Sequence, residues 1–168
     1  MRIKLTLKDC GTGAGGFQPG NTCGAGGGGG RSRISAASNP KTPPATLAAM
    51  SKDEAFQVRY GVASHLRTPP ATLSELAKDK DWEVREALAG NPSTPPTTLD
   101  ALSRDEDEKV RGAVGKNPNT PSDALDDLAF DGEWQVRRAV RDNPSTPPRT
   151  LADLAQDLDD RVGGGDRR

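Results

Sequence analysis

Asn143-Pro144-Ser145-Thr146-Pro147-Pro148-Arg149-Thr150-Leu151-Ala152-Asp153-Leu154-Ala155-Gln156-Asp157 is one copy of a pattern that recurs through the chain. Its Thr-Pro pair returns at Thr42-Pro43, Thr68-Pro69, Thr94-Pro95 and Thr120-Pro121, with a spacing of 26 residues and no insertion. Self-similarity at a fixed period is the signature of a repeat architecture and outranks other signals. The units run 39–64, 65–90, 91–116, 117–142 and 143–168, the last incomplete. Four open on Asn-Pro; the second opens on His65-Leu66.

Each unit predicts two short helices. Asn-Pro favours a turn, because the residue before proline is pushed out of the α region. Thr suits an N-cap and Pro the first helical turn. Leu47, Leu73, Leu99, Leu125 and Leu151 follow, with Met50, Leu76, Leu102, Leu128 and Leu154 three residues on and a small residue next. That spacing makes one apolar stripe on a helix. Asp53, Asp79, Asp105, Asp131 and Asp157 are then placed to end the first helix and cap a second. The second carries Val58, Val84, Val110, Val136 and Val162, followed in the first four units by a small and a branched residue three and four positions on. Helices of two to three turns are too short to stand alone. Stacked in a row, each pair covers its neighbour's apolar face. The expected fold is an all-α solenoid of about five 26-residue two-helix repeats. In the last unit, Gly163-Gly164-Gly165 should stop the second helix.

This order explains an otherwise misleading composition. Of 168 residues, 32% are hydrophobic and 4% aromatic, with 19 Gly and 14 Pro, which read without order would indicate disorder. The core is instead thin, repeated and Ala-rich. Residues 1–38 are expected to be a flexible Gly-rich segment and linker, its N-terminal tail disordered, and residues 39–168 the array. The charge divides the same way. Residues 1–38 carry Arg2, Lys4, Lys8, Arg31 and Arg33 against Asp9, so the array holds −5 of a total of −1. A mildly acidic array does not suit a nucleic-acid backbone. No apolar run could span a membrane, and Met1–Lys8 alternates charged and apolar residues unlike a signal peptide. A cytoplasmic protein is expected.

The unit Asn-Pro-x-Thr-Pro-Pro-x-Thr-Leu-x-x-Leu-Ala-x-Asp, followed by Val-Arg-x-Ala-Val, resembles the leucine-rich repeat variant family over about three-quarters of the chain. The resemblance implies a right-handed superhelix of alternating α and shorter 3₁₀-type helices, and leaves open which helix of each pair is which. The Asp-x4-Val-Arg portion also resembles HEAT-type repeats, where such residues form a ladder between units. The matching positions are Asp53/Arg59, Asp79/Arg85, Asp105/Arg111 and Asp131/Arg137; in the final unit Asp157 faces Gly163. A planar guanidinium suits bidentate pairing across neighbouring units. An anion-binding arginine row is the alternative, and the ladder is favoured.

Other candidate sites are sparse. Phe56, Trp82 and Trp134 recur two residues before the Val, with Glu108 and Asp160 in the other units. They are either anchors for a partner or, the reading favoured, covers for the interhelix turn. One leucine-rich repeat variant member carries an iron–sulfur cluster in a Cys-rich N-terminal segment. Here only Cys10 and Cys23 exist, too few for a cubane cluster. Free thiols are favoured over a disulfide or a shared metal site. Gly11-x-Gly13-x-x-Gly16 fails as a dinucleotide fingerprint, because Pro19, Gly20 and the glycine run leave no helix after it. The Cys10–Cys23 stretch resembles Gly- and Cys-rich segments of phage-type structural proteins. His65, the lone histidine, stands at a turn without a nucleophile beside it.

The reading is a non-catalytic protein- or peptide-binding scaffold with no cofactor and no membrane partner. Two alternatives remain: a metal- or iron–sulfur-associated protein using Cys10 and Cys23 in a site shared between chains, and a HEAT-like nucleic-acid-binding array. Oligomeric state stays open.

Overall fold

A computed structural model of the chain describes residues 29–163. Within these, eleven α-helices follow one another without a strand. Helix α1 spans Gly29–Ala37. Four first-and-second pairs follow: α2 (Pro44–Met50) with α3 (Phe56–Ser64), α4 (Pro70–Leu76) with α5 (Trp82–Ala89), α6 (Pro96–Leu102) with α7 (Glu108–Lys116), and α8 (Ser122–Leu128) with α9 (Trp134–Arg141). A last pair, α10 (Pro148–Leu154) and α11 (Asp160–Gly163), ends the described chain. The second helices α1, α3, α5, α7, α9 and α11 pack against one another in a row; α4, α6 and α8 each lean on both second helices flanking them in sequence, α2 leans on α3 and α10 on α9. The fold is a helical-repeat solenoid.

The turn chemistry differs from the sequence expectation in three places. Thr does not cap the first helix. The N-cap is the first Pro of the pair, Pro43 at φ −64° and ψ 146°, a conformation its own ring and the following Pro44 both favour. Helix α2 then starts on Pro44, where a missing N–H costs nothing. The Thr hydroxyl instead donates backwards to a carbonyl ending the preceding second helix: Thr68 Oγ1 to Val62 O at 2.6 Å, Thr94 Oγ1 to Leu88 O at 2.6 Å, Thr120 Oγ1 to Val114 O at 2.6 Å. Nor does the repeated Asp cap the second helix. Its Oδ1 accepts the N–H two residues on, from Asp53 to Ala55 at 2.9 Å through Asp157 to Asp159 at 2.8 Å, which sets the turn just before that helix. Finally, both helices of every pair are α-helices among the described residues. Bonds of 3₁₀ spacing survive only at their ends, such as Thr46 N–H to Pro43 O and His65 N–H to Val62 O.

The core runs down the centre of the row. Leu47, Leu73, Leu99 and Leu125 from the first helices, and Val58, Val84, Val110, Val136 and Val162 from the second, are fully buried. Fully burying such a side chain contributes ~1.5–3 kcal/mol. Leu151, in the last described unit, is exposed.

Residues 29–37, assigned to the linker on sequence grounds, form helix α1 and extend the row by half a unit. Arg33 and Ala37 stand 26 residues before Arg59 and Ala63, so α1 holds the register of a second helix. It sits close to α3 because position 61 is glycine: a Cβ there would come within 2.8 Å of Ala37 Cβ. The aliphatic Ile34 and Ala37, with no proline between, suffice to make a cap. The tail, with Cys10 and Cys23, lies outside the described residues.

Candidate functional site

The repeated Arg stands one residue after the buried Val, on the edge of the second helix that faces the interhelix turn of the next unit. Arg59 Nε donates to Asp79 Oδ2 at 2.6 Å and Nη2 to Asp79 Oδ1 at 3.0 Å. Its Nη1 donates to the carbonyl of its own unit's Asp53 at 2.8 Å. Arg85 to Asp105, Arg111 to Asp131 and Arg137 to Asp157 repeat this, each reaching 20 residues ahead. Thus each Arg takes a backbone carbonyl from its own Asp and a carboxylate from the next. Arg33 on α1 supplies a first rung, with Nε 3.2 Å from Asp53 Oδ2. The 26-residue period could have found Arg33, had α1 been counted in register. The last Arg of the ladder is Arg137, since Gly163 stands where a further Arg would be.

Electrostatics agree with the geometry. Burial pushes the Asp79, Asp105 and Asp131 carboxyls up, but hydrogen bonds from the facing guanidinium and from the turn N–H outweigh it and hold each below the usual carboxylate range. Hydrogen bonding to Asp79, Asp105, Asp131 and Asp157 raises Arg59, Arg85, Arg111 and Arg137 above their ordinary value. The donors are consumed within the protein and aim at neighbouring units.

A second ladder escaped the sequence reading. Asn91 Nδ2 donates to Ala63 O at 2.7 Å and His65 O at 3.2 Å, one unit back. Asn117 and Asn143 do the same to Ala89 and Asn91, and to Gly115 and Asn117. Each Oδ1 meanwhile accepts the N–H two residues on. His65 fills both roles in the second unit: Nδ1 accepts from Arg67 N–H at 3.0 Å, and Nε2 lies 2.9 Å from Asn39 O. The lone histidine is a turn residue carrying its donor on Nε2. The signal was present, because Asn recurs at one register, but sequence shows only the turn and not the reach across units.

The three aromatic candidates separate. Trp82 and Trp134 are half-buried against the core. Lys109 Nζ lies 4.0 Å from the Trp82 ring centre, and the Arg161 guanidinium 4.7 Å from that of Trp134. Each cation comes from the next unit, 27 residues on. Phe56 has Glu83 at that offset and no cation over it. Phe56 is 38% exposed, Tyr60 45% and Leu66 65%. With Ile34 of α1 and Ser38 just after it they line a groove of about 780 Å³ whose surface is mainly apolar, with Arg67 and Glu83 also on its lining. A smaller hollow near the other end holds the exposed Phe130 and Leu158.

Among the described residues no group of three or more His, Cys, Asp or Glu is arranged to hold a metal ion, and no helix is long and apolar enough to cross a membrane.

The fold and its ladders define a repeat scaffold. Residues 82–107, one repeat length from α5 through α6, match the family model described as "Leucine rich repeat variant". The chain carries the leucine-rich repeat variant repeat, in agreement with the resemblance in its sequence. A solved structure described as "a leucine-rich repeat variant with a novel repetitive protein structural motif" is similar at 28% identity, over 78% of this chain, with a TM-score of 0.45. The chain spans 62% of that structure's length. No curated protein matches.

Proposed function

We propose that the protein is a non-catalytic scaffold that binds an extended apolar segment of a protein or peptide in the groove between α1 and α3. The observation that carries this is the contrast along one helix row. The two Trp at the repeated aromatic position are covered by a cation of the next unit, whereas Phe56 is left open beside Tyr60 and Leu66. Exposed aromatics beside aliphatic walls are the usual anchor sites of peptide recognition. Against a nucleic-acid array, the Arg row is turned inward onto Asp carboxylates, and the array carries net negative charge. The metal-centred alternative depends on Cys10 and Cys23, which lie outside the described residues.

The test is selection of peptides from a random display library on the full chain. Selected peptides should share apolar anchors, and Phe56→Ala with Tyr60→Ala together should weaken them at least about tenfold, the worth of roughly 1.4 kcal/mol. Peptides that bind the double variant as tightly as the parent chain would move the site elsewhere.

A further inference from the structure

We propose that the groove's resident occupant is this chain's own N-terminal stretch, Arg2-Ile3-Lys4-Leu5-Thr6-Leu7-Lys8, which docks in cis and competes with any external peptide. The inference rests on the groove reading above and adds its regulation.

Three observations support the choice. First, position: helix α1 itself walls the groove through Ile34, and Ser38 follows directly after it. Ile34 lies five residues into the helix, about 7.5 Å along its axis from Gly29. The point where the 28 preceding residues join the described chain is therefore close to a residue of the groove lining. Residues 9–28 could span about 60 Å if extended, far more than a return to the groove requires. Second, pattern: in an extended stretch Ile3, Leu5 and Leu7 fall on one face and Arg2, Lys4, Thr6 and Lys8 on the other. An apolar face three side chains long suits a groove walled by Ile34, Phe56, Tyr60 and Leu66. Third, charge: residues 1–28 carry three basic groups against one acidic, and although Arg67 balances Glu83 on the groove lining itself, Glu86 stands one turn further along α5 outside that lining. The array's −5 favours the same encounter. Tethering raises the local concentration of such a segment to about the millimolar range, so weak contacts suffice.

The experiment replaces Tyr60, the chain's single tyrosine, with the photo-reactive p-benzoyl-phenylalanine in the full-length protein. Irradiation followed by peptide mapping should give an adduct within residues 1–8 of the same chain, with a yield independent of dilution. Ile3→Asp, Leu5→Asp and Leu7→Asp combined should lower that yield at least about tenfold. The same triple variant, with Tyr60 retained, should bind the library-selected peptides more tightly than the parent chain does. Adducts that map away from residues 1–8, or cross-linked dimers that rise with concentration, would overturn the proposal. If the selected peptides bind parent and triple variant equally while Phe56→Ala still weakens them, cis docking fails and the groove reading stands. No selected peptide together with no adduct defeats both.

Discussion

The start of the array and its middle share one sequence register but differ in what covers them. In the middle, Asn117 is buried and ties two carbonyls of the preceding unit, whereas Asn39 at the start is exposed and its side chain only receives Lys41 N–H. Inner rungs of the ladder are shut away, with Arg85 and Asp105 side chains each 9% exposed; Arg33 in the first rung is 41% exposed. The comparison separates two kinds of repeated residue. Those whose partner lies in another unit become structural wherever both units exist. Those at an end keep the residue type without the full set of contacts.

The largest effect should come from breaking an inner rung. Arg85→Ala leaves the Asp105 carboxylate without its guanidinium, with only the Asp107 N–H still donating to it, and the Asp79 carbonyl without its donor in a closed site. Loss of one partner from a buried pair costs about 3–5 kcal/mol. Arg33→Ala removes an exposed partner and should cost less than about 1 kcal/mol. Urea denaturation of both variants checks the contrast. Equal costs would mean that burial does not govern the ladder.

Next in size is the asparagine spine. Asn117→Ala strands the Ala89 carbonyl and leaves the Asn91 carbonyl only its Thr94 N–H donor, and should cost about 1–3 kcal/mol. Asn39→Ala should be near neutral, since its side chain serves one exposed turn. His65→Asn should be tolerated, because Asn91 and Asn117 show the same two roles filled by an amide at that register. Thermal melts of the three variants should rank in that order, and a strongly destabilised His65→Asn would show that the imidazole does more than imitate an amide.

Acid should weaken the inner rungs. The Asp79, Asp105 and Asp131 carboxyls are held below their ordinary value in the folded chain. A depressed carboxyl contributes stability that is fully present above the unfolded value, about 3.9, and is lost as pH falls through the lower folded one. Stability should therefore hold at neutral pH and decline progressively below about pH 4. Asp131→Asn should be less stable at neutral pH and show a shallower acid decline. Denaturation curves across that range decide it; parallel declines in parent and variant would put the acid sensitivity in other groups.

How much of this was legible follows from where each partner lies. The period, the two helices per unit and the Leu and Val stripes were readable because they repeat along the chain. The Arg and Asp positions were readable too, but not which unit each Arg serves; the structure sends it to its own carbonyl and the next carboxylate. The Thr and Asp roles were misassigned because local capping rules rank the nearest helix start, while the hydroxyl reaches back six residues. Helix α1 was hidden by glycines before it and by the absence of a Thr-Pro mark. The groove was invisible, since it depends on a cation present after Trp82 and Trp134 and absent after Phe56.

That last difference gives the smallest effect on stability and the sharpest one on function. Lys109→Ala uncovers Trp82 and should cost about 0.5–1 kcal/mol, the worth of an exposed cation–π contact. Glu83→Lys makes the opposite change, putting an ammonium at the offset that covers the other two aromatics. Its four-carbon stem can lie along Phe56 and fill part of the groove. Stability should move by less than about 0.5 kcal/mol, as for most surface substitutions. Binding of selected peptides should fall, because the lysine occupies their apolar wall. A Glu83→Lys chain that melts like the parent and binds like the parent would show that the open Phe56 is incidental, and that the array recognises its partner through some other face.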